Sequence, residues 1–203
     1  MRNTTRILIL SAVIFCFIAC KKDNSSNNTS TGASALAGTW TFMGMHATTS
    51  ATAVDNGGGI ISKVITTSDY NTTANGGTMA ISGNTMTGTG ITYSANIVAH
   101  ATEFEDGIQL DTFSTSIPFT VPPTNSTSGF EVIGKDSIHY TGSNIFGSAG
   151  SGTPAATGSK FSISGDILTI TSNVVDDKIQ DEGGGETLSQ HETATVVAIL
   201  QKQ

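Results

Sequence analysis

The chain has 203 residues, of which only 12% are charged, and its formal net charge is −7. Nucleic acids and anionic headgroups are bound through basic patches, so this acidic composition argues against both as partners of the domain surface. The abundance of Thr, Ser and Gly, together with Ile and Val, favours strands over helices. Composition alone therefore predicts an all-β protein that does not bind nucleic acid.

The first twenty residues have the pattern of an export signal. Arg2 and Arg6 precede an uncharged, mostly apolar run over residues 7–19. This run is too short to cross the roughly 30 Å hydrocarbon core as a helix, which takes about 20 residues. It has the length of the apolar region of a signal peptide. The alternatives are an uncleaved N-terminal helix and an ordinary cleaved signal peptide.

The end of this run, Phe17-Ile18-Ala19-Cys20, resembles the lipobox of bacterial lipoproteins, in which a small residue precedes an invariant cysteine. The resemblance implies that residues 1–19 are a cleaved lipoprotein signal peptide and that Cys20 is the lipidation site. Several acyl chains form a stable anchor, whereas one binds a membrane only marginally. We therefore expect a membrane partner through the lipid on Cys20, at the outer membrane of a Gram-negative bacterium, on its periplasmic or surface-exposed side.

Cleavage before Cys20 would leave 184 of the 203 residues, enough for one domain with a substantial core. Cys16 would leave with the signal and Cys20 would be acylated, so no disulfide is predicted. The mature chain would keep seven lysines, no arginine and sixteen acidic residues, a net charge of −9. Membrane attachment should therefore depend on the lipid alone.

Residues 20–35 are predicted to be the lipidated cysteine and a disordered tether. The stretch from Lys21 to Ser34 has no periodicity and almost nothing to bury. A coil of this length would hold a domain on the order of 20 Å from the membrane. Lys21-Lys22-Asp23 resembles the short charged signals that send some Gram-negative lipoproteins to the cell surface. The alternative is a solvated linker.

The folded domain is predicted over residues 36–203, and its first strand alternates so that Trp40 and Phe42 share one face. The sequence LAGTW at residues 36–40 resembles the signature of lipocalins and of bacterial lipocalin-like domains. The resemblance implies a barrel in which Trp40 closes one end and the opposite mouth binds a small apolar ligand. In many lipocalins an arginine of the last strand stacks on this tryptophan; here Lys202 is the only cation on the final strand. Alternatively, Trp40 is an ordinary core residue.

Tight hairpins connect several of the predicted strands. Residues 79–86 and 161–168 each contain an alternating strand, a Gly-Asn or Gly-Asp pair and a second strand. Gly at the first place of a two-residue loop suits a type II′ turn. Residues 131–140 are a third copy with one extra loop residue, and a further strand is predicted over residues 60–67. Hairpins in sequence order form an up-and-down meander, which disposes of its edges by closing.

The longest predicted strand covers residues 89–104. Its odd-numbered positions from Ile91 to Ala99 are apolar or small, whereas the even-numbered positions beside them are mainly polar. Small residues such as Ala95 and Ala99 on an inward face would leave room for a ligand inside a barrel.

The second half of the chain follows the same pattern. Pro122-Pro123 is predicted to end a strand over residues 107–119, and residues 143–159, rich in Gly, Ser and Ala, predict a long loop. The last strand, residues 193–201, is nearly continuous in apolar residues, as expected for a strand covered on both sides or beside the closure. We predict an all-β, antiparallel up-and-down meander of nine to ten strands that closes into an eight- to ten-stranded lipocalin-like barrel, with no helix after residue 20.

No catalytic residue, metal site or cofactor is predicted, and the protein is not expected to be an enzyme. The histidines His46, His100, His139 and His191 are scattered singly without the spacing of a zinc site, which favours polar strand-face residues. The sequence has neither a nucleophile elbow nor a phosphate loop. The mature chain would have no free thiol.

The largest cluster of carboxylates lies in residues 176–186, which predict an acidic loop. Calcium takes six to eight oxygen ligands from a loop that folds around it, and the glycines of this segment would permit that. Its spacing does not match an EF-hand, and the alternative is a solvated hairpin tip. Glu103, Glu105 and Asp106 predict a smaller acidic turn of the same kind.

Three functions follow from these observations. The first is a lipid-anchored lipocalin-like protein that binds a small apolar ligand, with its ligand-binding residues unassigned. The second is a surface-displayed structural or protein-interaction β-domain without a small-molecule ligand, whose protein partner is unknown. An enzyme is the third, and the residues support it least.

Overall fold

The computed structural model describes residues 31–142 and 156–203, which form one short helix and nine antiparallel strands. They are α1 (Thr31–Leu36), β1 (Gly38–Gly57), β2 (Ile60–Asn71), β3 (Thr73–Ser82), β4 (Thr85–Glu105), β5 (Ile108–Ile133), β6 (Ser137–Tyr140), β7 (Gly158–Ser164), β8 (Ile167–Gly183) and β9 (Glu186–Lys202). Hydrogen bonds link the strands in a ring, because β1 pairs with β9 as well as with β2 and β3. The predicted all-β meander with barrel-like closure is confirmed.

The strands β2 and β3 occupy a single place in this ring. Both lie between β1 and β4: β2 pairs with residues 46–57 of β1, and β3 pairs with residues 38–41. At their junction Ala74 has a φ of 50° and the register shifts between Thr73 and Thr78. The chain therefore kinks here without reversing, and the nine strands fill eight positions around the ring.

The predicted hairpins are present at the expected places. Gly83 joins β3 to β4 with a φ of 56°, and Gly165 joins β7 to β8 with a φ of 58°. The residue after each glycine has a negative φ, as a type II′ turn requires. Gly134, with a φ of 68°, begins the three-residue connection from β5 to β6. Local turn chemistry therefore fixes these strand pairings.

The longest strand is β5, with 26 residues, and not β4, with 21. The prediction that Pro122-Pro123 ends this strand is wrong, because β5 continues through both prolines. They lie in a bulge opposite Thr92, whose Oγ1 donates to the Val121 carbonyl at 2.8 Å. Within the described ranges, residues 108–129 of β5 pair with β4 alone. A missing N–H is tolerated at such an edge.

The predicted acidic loop at 176–186 is also wrong. Its residues up to Gly183 belong to β8, and Glu186 begins β9, so Gly184-Gly185 alone forms the turn. Likewise Glu103 and Glu105 lie in β4, and of the predicted acidic turn at 103–106 only Asp106 is outside the strand. Charged residues continue these strands because backbone pairing with the neighbouring strand extends to the hairpin tip.

The helix α1 lies where the sequence predicts a disordered tether and no helix. Leu36 is fully buried, and a Cβ added to Gly32 would lie 2.9 Å from Val132 Cγ1 at the end of β5. The helix therefore packs against the barrel, and the prediction of disorder is wrong for residues 31–35. Residues 1–30, with the predicted signal peptide and Cys20, lie outside the described residues, as do residues 143–155 of the predicted long loop.

A line of bulges divides the barrel into two halves. Register shifts occur between Phe42 and Gly44 of β1, within residues 73–78 of β3 and within residues 88–93 of β4, and bulges bend strands and increase their twist. We call residues 31–45, 72–93, 126–142, 156–172 and 197–203 the closed half, and residues 46–71, 94–125 and 173–196 the open half. The short strands β6 and β7 lie entirely in the closed half.

The main core lies in the closed half. Its largest fully buried apolar side chains are Trp40, Phe42, Phe130, Leu36, Met79, Met86, Leu168, Ile170 and Leu200. In β9 the buried residues alternate with exposed ones, and Ile199 is 40% exposed. The apolar run of β9 is therefore not buried on both faces of the sheet. It lies where β9 pairs with β1 and closes the ring. The only helix in the described ranges is the six-residue α1, and none there could span a membrane.

Candidate functional site

The inner face of the open half carries small apolar side chains among polar ones and is continuous with the buried face of the closed half. Side chains alternate along a strand, so the face that carries the core continues past the bulges. It includes Ala51 and Ala53 of β1, Val64 of β2, Ala99 of β4, Ile117 of β5 and Ala194 of β9. We call this surface the trough. In the open half no described strand joins β5 to β8. Ala156, just before β7, packs against Val174 and Ala194 on this inner face.

The floor of the trough, next to the closed half, is aromatic. Tyr93 and Phe119 meet edge to face with ring centroids 5.9 Å apart, and Tyr70 and Phe119 do so at 6.3 Å. Tyr93 also contacts Phe42 of the main core, 6.0 Å away. Edge-to-face contacts of this kind stabilise a fixed aromatic surface. The floor is therefore held rigidly by the packed half of the barrel.

The two floor tyrosines are neutral at physiological pH. Burial, with a smaller contribution from Tyr93, raises the pKa of Tyr70 to about 12. Burial also raises the pKa of the Tyr93 hydroxyl. Neutral aromatic rings beside small aliphatic residues form a surface suited to an uncharged apolar ligand.

The rim of the trough is acidic. Asp176 and Glu192 are neighbours across β8 and β9, and Lys178 Nζ lies 2.6 Å from Asp176 Oδ2. Burial raises the pKa of Glu192, Lys178 lowers it, and the nearby Asp176 raises it further. The open half as a whole carries twelve carboxylates and two lysines, a net charge of −10. An anionic ligand group would be repelled here.

Ala95 and Ala99, which the sequence places on an inward face, lie on the same face of β4 as the core residues. Ala95 is buried beside the aromatic floor, whereas Ala99 is half-buried in the trough. The floor itself was not predicted, because Tyr70 and Phe119 come from strands far apart in sequence. Their alternation with neighbouring polar residues is the signal that places each on the inner face.

A buried polar cluster lies inside the closed half. The Tyr140 hydroxyl is 3.0 Å from Ser159 Oγ, which is 2.6 Å from Ser172 Oγ. Burial raises the pKa of Tyr140, while its hydrogen bonds to the two serines lower it. The three groups satisfy one another, as buried hydroxyls must, so they stabilise the barrel and form no access route for a substrate.

The histidines lie on strands and not in a common site. His46 pairs with Asp69, His191 with Asp177 and His100 with Ser114, at 2.7, 2.6 and 2.8 Å, while His139 is in β6. Among the described residues no group of three or more His, Cys, Asp or Glu is placed to hold a metal ion. The carboxylates of residues 176–182 alternate between the two faces of β8, so they do not surround a common point.

The outer face of the β1, β9 and β8 sheet carries a shallow groove of about 330 Å³. The groove is lined by Thr52, Val54, Asp177, Lys178, Ile179, Ser189, Gln190 and His191. We call it the outer groove. Six of these residues have the opposite strand parity to the trough residues, whereas Lys178 and Gln190 have the same parity as the trough residues.

No protein-family model matches this chain, and neither curated proteins nor solved structures yield a match. Function must therefore be inferred from the residues themselves. Trp40, the residue that suggests a family resemblance, is fully buried and its Nε1–H donates to the Leu36 carbonyl at 2.9 Å. Lys202 Nζ lies 5.5 Å from the centre of the Trp40 ring. Trp40 is thus a structural residue at the closed end.

Proposed function

We propose that this protein is a lipid-anchored cell-envelope lipoprotein whose lipocalin-like domain binds a small apolar ligand in the trough. The observation that carries the proposal is an inner face that continues from the packed core into the open half and carries small, partly exposed apolar side chains there. Its floor is aromatic and is packed into the core, and its walls carry small, partly exposed side chains such as Ala53 and Ala99. A concave apolar surface with few polar groups is the usual form of a small-molecule site.

Two observations support the lipocalin-like assignment. Trp40 is buried at one end of a meander with eight positions, and the trough opens at the opposite end. Lys202 of the last strand lies over the Trp40 ring, where many lipocalins have an arginine. Lysine supplies the same cation–π attraction. The lack of arginine in the domain is therefore compatible with this family.

The proposed anchor is the lipid on Cys20, after cleavage of residues 1–19, at the outer membrane of a Gram-negative bacterium. The described domain begins at the closed end, where the Gln203 amide also donates to the Thr39 carbonyl at 3.0 Å. A tether from Cys20 would therefore reach the closed half first. In this arrangement the acidic open half is turned away from anionic headgroups, which would repel it.

The ligand is expected to be uncharged. A fatty acid bound in the trough would bring its carboxylate near Asp176 and Glu192, and like charges at close range are unfavourable. A neutral molecule with a rigid or aromatic body would instead pack against Phe119, which is only partly buried.

Binding is tested with N-phenyl-1-naphthylamine, a neutral probe whose fluorescence rises in apolar surroundings, together with native mass spectrometry of gently purified protein. Ala99→Trp should fill the trough and weaken probe binding about tenfold or more. Val98→Trp is the matched control, because residue 98 is 38% exposed on the outer face of the same strand. Absence of probe binding in the wild type, or equal binding by both variants, contradicts the proposal.

The anchor is tested separately by mass analysis of the N-terminal peptide from the membrane fraction. We expect a mature chain that starts at Cys20 with acyl chains attached, and release of Cys20→Ser from the membrane. An unmodified Cys20, or a mature end elsewhere, contradicts the lipoprotein assignment without affecting the ligand site.

A further inference from the structure

The junction of β2 and β3, residues 72–77, lies at the boundary between the open and the closed half. It fills the place between β1 and β4 at the level of the aromatic floor, because Thr73 pairs with Ser94 and Gly76 with Thr92, on either side of Tyr93. The backbone ladder is sparse here, since the register of β3 against β4 shifts twice between Thr73 and Thr78. Local opening concentrates where backbone hydrogen bonds are few.

Two features make the conformation of this junction costly. Ala74 has a φ of 50°, a left-handed conformation that is unfavourable for a residue with a Cβ. Asn75 Oδ1 is buried and has no hydrogen-bond partner in the part of the chain that the structure describes. A buried acceptor of this kind has lost its hydrogen bonds to water without replacing them. Both costs would be relieved if Ala74 and Asn75 moved out into water.

The side-chain amide of Asn75 cannot remove its own cost by turning over. Its Nδ2 donates to the Thr72 carbonyl at 3.2 Å, so the reversed amide would place Oδ1 against another acceptor. The amide is also confined by β1, because a Cβ added to Gly44 would lie 2.7 Å from Asn75 Nδ2. The unpartnered oxygen is therefore a property of the junction as it is packed against β1.

The junction is held to β1 by Thr72 and Met45, which we call the clamp. The Thr72 N–H donates to the Met45 carbonyl at 2.9 Å, and the Met45 N–H donates to Thr72 Oγ1 at 2.8 Å. Thr72 Oγ1 also donates to the Met45 carbonyl at 3.3 Å. Both residues are buried, so these bonds are not exchanged for bonds to water. A short set of hydrogen bonds therefore opposes the strain of Ala74 and Asn75.

Release of the clamp would open a way to the floor of the trough. Tyr70 and Tyr93 are each only 6% exposed, so a ligand does not reach their rings while the junction is in place. Residues 72–77 lie between β1 and β4 beside these rings, and their departure would leave these two strands unbridged at that level. The rest of β2 would stay in place through its pairing with β1 over residues 60–71.

We propose that the junction is a gate, in which residues 72–77 detach from β1 and β4 as a unit and admit the ligand to the aromatic floor. The proposal rests on the proposed function, since it assigns the route by which an apolar ligand enters the trough. The bonds of the clamp and the strained residues act in opposite directions, so the two arrangements differ little in free energy and interconvert in the native protein.

Hydrogen exchange of the wild-type protein at increasing low concentrations of urea tests the opening itself. Amides of residues 72–77, together with the Met45 amide, should exchange at a rate that does not change with urea, because local opening exposes little surface. Amides of residues 196–202 in β9 should exchange faster as urea rises, because they require global unfolding. The same urea dependence in both segments would overturn the proposal.

Variants on both sides of the balance sharpen this test. Thr72→Val removes Oγ1 from the clamp and should speed exchange of the junction about tenfold. Thr73→Val is the matched control, because the Thr73 hydroxyl donates to the Ser94 carbonyl at an exposed position, and it should leave exchange nearly unchanged. Ala74→Gly should slow exchange about fivefold, because glycine adopts a positive φ without strain. Equal acceleration by both valine variants, or faster exchange in Ala74→Gly, would contradict the gate.

Stopped-flow binding of N-phenyl-1-naphthylamine tests the role of the opening. Thr72→Val should raise the association and dissociation rates of the probe by the same factor, and Ala74→Gly should lower both, with the equilibrium affinity unchanged in each. If the probe binds and both variants leave its rates unchanged, the gate is overturned and the proposed function stands. If no probe binds to the wild type, the proposed function fails, and with it the admission of a ligand through the junction, even where exchange shows the junction to open.

Discussion

The closed and open halves of the barrel have opposite properties, although the same strands run through both. Among the residues that the structure describes, the closed half holds all of the largest fully buried side chains, and it balances three lysines with three carboxylates. The open half exposes Ile108, Ile117, Val175 and Ile179 and carries a net charge of −10. Burial of large apolar side chains supplies most of the stability of a fold. Among the described residues, the stability that comes from burial is therefore concentrated in the closed half.

The bulges explain how one meander produces both halves. The bulges of β1, β3 and β4 lie at the same level of the barrel. On one side of this level the ring of strands is complete, and on the other side no described strand joins β5 to β8. Short β6 and β7 complete the ring on the closed side alone. Loss of pairing at one end therefore does not weaken the core at the other end.

We expect the largest difference between the halves in the free energy of unfolding that is lost when an aromatic residue under a lysine is replaced by alanine. Trp40 in the closed half is fully buried beneath Lys202, and half-buried Phe104 in the open half lies 4.5 Å from Lys63 Nζ. Trp40→Ala should lower the free energy of unfolding by about 3–5 kcal/mol, and Phe104→Ala by about 1 kcal/mol. Urea unfolding measures both, and equal losses would contradict the division into halves.

The next largest difference in stability is expected between alanine substitutions at two glycines, Gly77 and Gly58. Gly77 has a φ of 98°, and an added Cβ would lie 2.5 Å from the Gly90 carbonyl oxygen. Gly58, in the turn between β1 and β2, has a φ of 63° and open space around an added Cβ. Gly77→Ala should therefore cost about 3 kcal/mol through strain and backbone displacement, and Gly58→Ala about 1 kcal/mol. Comparable unfolding midpoints for the two variants would show that the bulge tolerates displacement.

The aromatic floor predicts an alkaline loss of stability. The pKa of Tyr70 is about 12 in the folded protein, against 10.0 when it is free. The folded state thus holds the Tyr70 proton more tightly than the unfolded state does. The contribution of Tyr70 to the free energy of unfolding is therefore complete below about pH 10 and is lost as the pH rises to about 12. Tyr70→Phe should flatten the fall of the unfolding midpoint over that range. An unchanged fall would mean that Tyr70 is accessible to water.

The smallest expected effect lies on the rim. The pKa of Glu192 is raised in the folded protein. The contribution of Glu192 to the free energy of unfolding is therefore complete below the ordinary glutamate pKa of 4.5 and is lost as the pH rises above that value. Glu192→Gln should therefore stabilise the protein near pH 7, by a few tenths of a kcal/mol because solvent screens the rim. It should have no effect near pH 4. Exposed Glu182→Gln is the control, and a gain of equal size there would contradict the burial of Glu192.

Sequence reasoning located most of the strands but not their ends or their surroundings. Alternation in residues 36–45 and 89–104 and the glycine turns at Gly83 and Gly165 act between near neighbours, so they can be identified from the chain alone. The continuation of β5 through Pro122-Pro123 depends on which side of the strand has a partner. The helix at residues 31–36 depends on the barrel end that covers Leu36. Neither of these conditions is present in the local sequence.

The sequence by itself determined the strand period, the order of the hairpins and the likeness of residues 17–20 to a lipobox, because these depend on residues a few positions apart. The tertiary structure alone decided that the main core is packed at one end of the barrel. It also decided that the acidic segment at 176–182 lies within a strand, and that Tyr70, Tyr93 and Phe119 form one floor. These features depend on register across strands, where a shift of one residue would move every side chain to the other face.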